Sequence, residues 1–255
     1  MRPLRGLVIT GTDTGVGKTW VTVRLLQRLQ AQGWRVGAYK PACSGAEGSC
    51  SPTPYWEDVE ALLTASTLPA GFSLDELRDW VCPQRFLAPL APPLAAALEQ
   101  REMDRELLLY GWHRWQGQVD AVLIEGAGGW FCPMTSTETF ADLAVHWKLP
   151  VLIVARRTLG TINHTLLTIE AVRQRGLSVV GIILNEPCPI TTDPSVPMNA
   201  AEIARRGRTH ILAEFPYQPT TEQLQPPSRY ATIEAQLQSL NVAEWLGHFP
   251  PSSLP

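Results

Sequence analysis

Residues 7–19 read Leu-Val-Ile-Thr-Gly-Thr-Asp-Thr-Gly-Val-Gly-Lys-Thr. A short apolar run enters a glycine-rich turn, and the turn ends in Gly-Lys-Thr before a predicted helix at 20–32. Glycines leave backbone N–H groups free to face phosphate oxygens, a lysine places a cation on the β- and γ-phosphates, and a threonine hydroxyl ligates Mg²⁺. The N-terminus of the next helix adds its positive dipole end. The stretch therefore predicts a polyphosphate-binding loop that contains Lys18 and Thr19.

The spacing of this loop departs by one residue from the pattern G-x-x-x-x-G-K-[ST]. Thr12 stands where the pattern has glycine, and Gly11 comes one residue early. The alternative interpretation is an ordinary glycine turn before a helix. The strand before the turn, the helix after it and the intact Gly-Lys-Thr favour a phosphate site of a variant type.

The composition is that of one globular domain. The chain has 255 residues, of which 45% are hydrophobic and 18% charged, with a net charge of −3. This charge argues against a nucleic-acid partner, and no apolar run approaches the about 18 residues that span a bilayer. Five scattered cysteines without a C-x-x-C pair predict reduced thiols and a cytoplasmic location. We predict one domain over 1–248 and a disordered tail over 249–255.

Apolar β-branched runs alternate with helical patterns along the chain. Such alternation predicts an α/β fold, with a mostly parallel sheet flanked by helices on both faces, as in P-loop NTPases. The predicted strands are Leu7–Thr10, Val36–Tyr39, Val122–Glu125, Val151–Ala155, Val179–Leu184 and His210–Phe215. The predicted helices lie at 20–32, 57–66, 104–117, 138–147, 161–175, 199–206 and 229–240.

Charged side chains follow two of these strands. Lys40 closes the second strand, where it is either a second cation for the phosphates or a surface lysine at a turn. Glu125 ends a buried strand and precedes Gly-Ala-Gly-Gly, which fits a carboxylate beside Mg²⁺. Asp58 lies in the first turn of a helix, where a carboxylate that favours the helix dipole is the simpler explanation. Together with Thr19, these carboxylates would supply one hydroxyl and two carboxylate ligands.

Other polar residues lie at the ends of later strands. Gly160 and Thr161 leave N–H groups available at a helix start, which is a second anion site. Asn163 and His164 are as readily explained as caps or core polar groups as by ligand binding. Asn185 offers a donor and an acceptor to an adenine edge, or else forms the turn before a proline. Ser44 adds a hydroxyl near Lys40.

These motifs together resemble the dethiobiotin synthetase family. The resemblance rests on residues 11–19, on Tyr-Lys-Pro with Ser-Gly at 39–45, and on three further runs that occur in the family's order. They are Glu-Gly-Ala-Gly-Gly-Trp at 125–130, Phe-Ala-Asp-Leu at 140–143 and Leu-Gly-Thr-Ile-Asn-His at 159–164. The resemblance implies that 7,8-diaminopelargonate, CO₂ or bicarbonate, and ATP with Mg²⁺ are converted to dethiobiotin, ADP and phosphate.

The resemblance also implies residue roles. Lys18 and Lys40 would be catalytic, and Thr19, Asp58 and Glu125 would hold Mg²⁺. ATP would be bound by Thr14, Gly15, Val16, Gly17, Lys18, Thr19, Asp58, Glu125, Gly126, Ala127, Gly128, Asn185, Pro216, Tyr217 and Gln218. The substrate would be bound by Thr12, Ser44, Gly160, Thr161, Ile162 and Asn163, the last four from the partner subunit of a homodimer. Some family members have an acidic residue at the position of Gly15, so that contact is absent here.

The sequence argues against three alternative functions. An amidotransferase-type synthetase usually carries a glutaminase domain, for which 255 residues leave no room. A partition or septum-site ATPase typically has a lysine five residues before the loop lysine, where this chain has Asp13. An iron–sulfur carrier ATPase needs cysteine ligands beside the site, and only Cys132 lies near the Glu125 motif.

Overall fold

The computed structural model describes residues 4–47, 53–189, 192–218 and 227–249. The strands are β1 Arg5–Gly11, β2 Val36–Tyr39, β3 Ala42–Ser44, β4 Gln84–Phe86, β5 Ala121–Gly129, β6 Val151–Arg156, β7 Val179–Asn185, β8 Ile211–Phe215 and β9 Gly247–His248. The helices are α1 Lys18–Ala31, α2 Glu57–Ala65, α3 Leu74–Val81, α4 Pro92–Leu98, α5 Arg105–Tyr110, α6 Phe140–Trp147, α7 Thr161–Gln174, α8 Val196–Gly207, α9 Pro227–Ser239 and α10 Val242–Trp245.

A parallel sheet in the order β2-β5-β1-β6-β7-β8 forms the centre of the protein. The short strand β9 adds an antiparallel pair to the start of β1. The central strands are buried along most of their length, which explains their continuous apolar runs, since both faces are covered. The predicted α/β class and its six parallel strands are confirmed.

Helices cover both faces of this sheet. The crossover from β1 through α1 to β2 runs towards one edge, whereas the crossovers through α6, α7 and α8 run towards the other. Because such crossovers are right-handed, helices that lead in opposite directions lie on opposite faces. The reversal of direction beside β1 places the phosphate loop at the switch point, where ligands of open α/β sheets bind.

The predicted single helix at 104–117 is wrong. The segment forms α5, followed by a separate 3₁₀ turn at Gly111–Trp115. The Tyr39 hydroxyl donates to the carbonyl oxygens of Leu107 and Leu108, in the latter case at 3.1 Å. A Cβ at Gly111 would lie 2.6 Å from that hydroxyl. The hydroxyl of the buried Tyr39 therefore hydrogen-bonds to carbonyl groups in the last turn of α5, and the chain bends around this side chain.

The elements between residues 74 and 98 were not predicted. Helix α3 begins with a capping box, in which Ser73 accepts from the Glu76 amide and Glu76 accepts from the Ser73 amide, and this signal is visible in the sequence. Strands β3 and β4 pair with each other, outside the central sheet. The pair carries the chain from Lys40 to the segment before α4, which borders the site.

The C-terminal part also differs from expectation. Helix α10 and strand β9 were not predicted, and Phe249 is buried, with its ring stacked on Trp112 at a centroid distance of 3.7 Å. The packed chain therefore extends one residue beyond 248, into the predicted tail, while 250–255 lie outside the described residues. Across the described ranges, no helix has the length and apolarity that a membrane crossing requires.

Candidate active site

A cavity of about 990 Å³ lies along the carboxyl edge of the sheet. It extends from the end of β2, past β5 and the loop after β1, to the ends of β7 and β8. Most residues predicted for the site line this cavity. They are Thr14, Gly15, Gly17, Lys18, Thr19, Lys40, Ser44, Asp58, Gly126, Ala127, Gly128, Asn185, Pro216, Tyr217 and Gln218.

The phosphate loop is held rigidly against β7. Gly17 caps α1 with φ +87°, a left-handed conformation that favours glycine. A Cβ at this residue would lie 2.1 Å from Asn185 Nδ2, so no larger residue fits. The same Nδ2 donates to the Val16 carbonyl at 3.0 Å, and the Val16 side chain is buried in the core. Loop residues 14–17 therefore present their backbone to the cavity. The ATP contact predicted for Val16 is left to its backbone amide, because its side chain is buried in the core.

Lys18 is a buried cation with little compensation. Its Nζ donates to the Asp13 carbonyl at 3.1 Å, and its side chain is 7% exposed. Burial lowers the pKa of Lys18 to about 8, with repulsion by Lys40 acting in the same direction and attraction by Glu125 and Asp58 opposing it. A phosphate anion stabilises an ammonium in this state, because the anion replaces the favourable interaction with water that burial removes.

Lys40 lies in the opposite electrostatic situation. Its Nζ is 2.5 Å from Asp58 Oδ2 and 2.8 Å from Glu125 Oε1. Burial lowers the pKa of Lys40, but the two carboxylates outweigh burial and hold this pKa well above its ordinary value. Lys40 therefore remains charged, and the alternative interpretation of Lys40 as a surface lysine at a turn is excluded. The alternative explanation of Asp58 as a solitary helix-start carboxylate is excluded as well.

Glu125 is fully buried beneath the loop and receives several hydrogen bonds. Thr19 Oγ1 donates to its Oε1 at 2.7 Å, and Thr22 Oγ1 lies 2.6 Å from its Oε2. The Thr22 hydroxyl is also 2.9 Å from the Lys18 carbonyl. Thr22 was not predicted, although it lies three residues after Thr19 and thus on the same face of α1.

The donor atoms at this point fit a hard cation. Thr19 supplies a hydroxyl, and Asp58 and Glu125 supply carboxylates, all oxygen ligands of the kind that Mg²⁺ prefers. Burial raises the pKa of Asp58, but Lys40, the Thr19 hydroxyl and Lys18 outweigh this effect, so the pKa of this carboxyl lies below its ordinary value. In the described ranges, no three His, Cys, Asp or Glu side chains form a metal cluster of their own.

The β2 end of the cavity is formed by Ser44 and by the segment before α4. The Ser44 hydroxyl donates to the Leu90 carbonyl at 2.6 Å, and residues 89–92 line the cavity. Nothing in the sequence pattern pointed to that segment, which reaches the site through the β3–β4 pair. Cys43 also lies here, and burial raises the pKa of its thiol to about 11, so the thiol stays protonated.

The opposite end of the cavity is built by the segments after β7 and β8. Asn185, Pro187 and residues 216–218 line it. Arg157 fixes these segments, since its guanidinium lies 3.3 Å from Glu186 Oε2 and 3.3 Å from Glu214 Oε2.

Some predicted residues do not border the cavity. The Thr12 amide donates to the Val154 carbonyl at 3.0 Å, and Thr12 lies outside the lining. Gly160, Thr161, Ile162 and Asn163 form the start of α7 and also lie outside it. Trp130, within the Glu125 motif, is buried edge-on against Phe140, so its role is packing.

Comparisons with solved structures show the same fold. The septum site-determining protein MinD, complexed with Mg-ADP, from Pyrococcus horikoshii OT3 has a TM-score of 0.53 at 15% identity, over 94% of this chain and 97% of that one. A ParA family ATPase from Chlorobium tepidum TLS has a TM-score of 0.52 at 15% identity, over 96% and 93%. At this identity the similarity concerns the fold alone.

Comparisons of sequence are more specific. A family model described as AAA domain matches residues 5–225. The chain is 46% identical to ATP-dependent dethiobiotin synthetase BioD of Anaeromyxobacter sp. (strain K), over 85% of this chain and 92% of that protein. It is 39% identical to ATP-dependent dethiobiotin synthetase BioD 1 of Escherichia coli O157:H7, over 71% and 77%. The chain therefore belongs to the ATP-dependent dethiobiotin synthetase family.

Proposed function

We propose that this cavity couples ATP cleavage to the formation of the ureido ring of dethiobiotin, in biotin biosynthesis. The substrates are 7,8-diaminopelargonate, CO₂ and ATP, and the products are dethiobiotin, ADP and phosphate. The observation that carries the proposal is the convergence of two lysines, two carboxylates and a threonine hydroxyl beside the phosphate loop, of which Lys18, Lys40, Asp58 and Thr19 line the cavity and Glu125 lies buried beneath it. This arrangement suits a phosphoryl transfer in which charge spreads over the phosphate oxygens.

The proposed reaction has three steps. One amine of the diamine attacks CO₂ and loses a proton, which gives a carbamate. A carbamate oxygen attacks the γ-phosphorus and ADP leaves, which gives a mixed anhydride. The second amine then attacks the carbamoyl carbon, the C–O bond to phosphate breaks, and a proton is released as the ring closes.

The chain's own residues divide this work by position. The loop amides of 15–19 and the Lys18 ammonium hold the β- and γ-phosphates at the start of α1. Lys40, fixed by Asp58 and Glu125, faces the transferring phosphoryl group from the β2 side. Ser44 and residues 89–92 lie beyond Lys40, so we assign this end to the diamine. Asn185 and residues 216–218 are assigned to the base of ATP.

Thr19, Asp58 and Glu125 would hold Mg²⁺, which when bound neutralises charge on the β- and γ-phosphate oxygens. The same two carboxylates hold the Lys40 ammonium, so the proposed metal ligands and the proposed catalytic lysine form one connected group.

We predict that Glu125→Gln raises the Mg²⁺ concentration required for half-maximal rate and lowers kcat, while the fold is retained. The amide removes the charge that attracts the metal. Packing is preserved because the new amide N–H can donate to Thr22 Oγ1, and the Thr22 hydroxyl then donates its own proton to the Lys18 carbonyl. Rates titrated with Mg²⁺ check this, with Glu202→Gln as control, because this half-buried α8 carboxylate pairs with Arg205 and Arg206 and does not line the cavity. Parent-like activity at both limiting and saturating Mg²⁺ would make Glu125 a structural residue.

We predict that ATP affinity falls as the pH rises above about 8. Bound phosphate favours the ammonium form of Lys18, so binding raises its pKa and takes up a proton at pH values above the free-protein pKa. Affinity then decreases by up to about tenfold per pH unit. Lys40 does not titrate in this range, because its pKa lies well above 10.5. Calorimetric ATP binding from pH 7.5 to 9.5 measures the slope, which Lys18→Met abolishes; a flat parent profile contradicts the assignment.

We further propose that the active enzyme is a homodimer in which the partner subunit's α7 start binds the far carboxylate of the diamine. Residues 160–163 lie outside the cavity of their own subunit and form the N-terminus of α7, where the Thr161 amide already donates to the Thr158 carbonyl at 3.1 Å, which leaves the dipole end of the helix and the amides after Thr161 for an anion. Leu159 is 81% exposed and Leu167 61%, and Asn163 and Leu167 lie on one face of α7. An apolar surface of this kind beside an anion site fits an interface between copies. Light scattering in solution measures the oligomeric state.

We place the enzyme in the cytoplasm, a location supported by the unpaired thiols of Cys43, Cys82, Cys132 and Cys188. The proposed reaction is tested by incubating the protein with diaminopelargonate, ATP, Mg²⁺ and ¹³C-bicarbonate. The expected product is dethiobiotin with one ¹³C in its ureido carbonyl, detected by mass spectrometry. If ATP is consumed and the diamine is recovered unchanged, the proposed function is wrong.

A further inference from the structure

The base end of the cavity has a wall that the sequence analysis did not assign. Trp20 follows Thr19 directly on α1, and Val23 lies three residues later on the same helix face. Both line the cavity, together with Pro187 and Pro216 from the segments after β7 and β8. This end therefore combines an indole ring with apolar side chains, next to the amide of Asn185.

The ring of Trp20 is fixed from two sides. The Phe215 ring meets it edge-on at a centroid distance of 5.3 Å, and Arg24 Cζ lies 5.1 Å from its centroid. Arg24 Nη2 in turn lies 3.4 Å from Gln218 Oε1. Arg24 is not among the described residues that line the cavity, whereas Trp20 is. Trp20 is half-buried and lines the cavity, so part of this side chain remains accessible from the cavity.

We propose that the purine ring of ATP packs against Trp20, and that this contact supplies most of the affinity that the base adds to the phosphates. The inference rests on the proposed use of ATP in this cavity. Trp20 contacts Phe215, the last residue of β8, and lines the cavity together with Pro187 and Pro216, so its side chain lies at the end of the cavity assigned to the base. Stacking uses the π-face that every purine has. Trp20 therefore favours a ligand with a base over one without a base, and the selection of adenine over guanine depends on Asn185.

The test separates base affinity from phosphate affinity. ATP and inorganic tripolyphosphate are titrated in the absence of diamine, with the parent and with Trp20→Ala and Trp20→Phe. Trp34→Ala is the matched control, because Trp34 lies past the other end of α1 and also has a cation over its ring, Arg5 Cζ at 5.5 Å. Trp20→Ala is expected to weaken ATP binding on the order of tenfold and to leave tripolyphosphate binding unchanged.

Trp20→Phe should restore much of the lost ATP affinity, and Trp34→Ala should bind both ligands as the parent does. The inference is overturned if Trp20→Ala loses affinity for both ligands equally, since the loop itself is then disturbed. It is also overturned if ATP affinity does not change, or if the parent binds ATP no more tightly than tripolyphosphate. A parent that binds neither ligand contradicts the proposed function itself, which is a distinguishable result.

Discussion

Lys40→Gln is expected to lower kcat by a factor on the order of 10² or more, as for the loss of one preorganised electrostatic contact. The charge of Lys40 is secured by Asp58 and Glu125, so it is in place before the γ-phosphoryl group begins to move. Its contribution belongs mainly to the transition state. ATP affinity should change much less, because Lys18 and the loop amides still hold the phosphates. Steady-state kinetics with both substrates and calorimetric ATP binding separate the two effects.

Two companion variants sharpen this prediction. Lys40→Arg should not restore the rate, because a planar guanidinium cannot replace a compact ammonium between two carboxylates. Lys148→Gln is the matched control, since it removes the exposed lysine at the end of α6. A loss of diaminopelargonate affinity with kcat preserved would reduce Lys40 to a substrate-binding residue.

Lys18→Gln is expected to abolish measurable turnover and to weaken ATP binding by about tenfold or more, because a charge-assisted hydrogen bond to phosphate is lost with the cation. Calorimetric binding and single-turnover ADP formation, again with Lys148→Gln as control, measure both losses. Near-normal affinity and rate in this variant would remove the assignment of residues 15–19 as the phosphate loop.

The two lysines should also differ in their effect on the free protein. Burial makes the charge of Lys18 unfavourable and lowers its pKa to about 8, so Lys18→Met is expected to keep or raise the melting temperature without nucleotide. Removal of Lys40 leaves the fully buried Glu125 without its ion-pair partner, and unpaired buried charges are destabilising. Lys40→Met should therefore melt lower than the parent. Equal melting temperatures for the two variants would contradict this difference.

Much of the site was visible in the sequence because its residues follow strands. Lys40 directly follows β2, and Glu125 lies in the neighbouring parallel strand β5, which continues past its predicted end to Gly129; the carboxyl halves of such strands meet at one edge. The continuous apolar runs predicted where the strands lie, and the ends of these runs predicted the polar residues of the site. Asp58 is different, because only the folded chain shows that the start of α2 lies beside Lys40.

The remaining features depend on contacts between distant segments. The 3₁₀ turn at Gly111 arises from a hydroxyl on β2, which no local pattern around residue 111 reveals. Residues 89–92 reach the cavity through two three-residue strands that pair only with each other. Trp20 was not among the residues predicted for the site. Its position beside Pro216 is a property of the tertiary structure.

The most direct test of the central claim is ADP formation by the parent protein with diaminopelargonate and bicarbonate supplied together, singly or not at all. The account predicts that ADP appears at an appreciable rate only when both are present, with one ADP formed per dethiobiotin. Hydrolysis of ATP at the same rate without the diamine would contradict it, and would indicate an ATPase whose cycle is not coupled to ring closure.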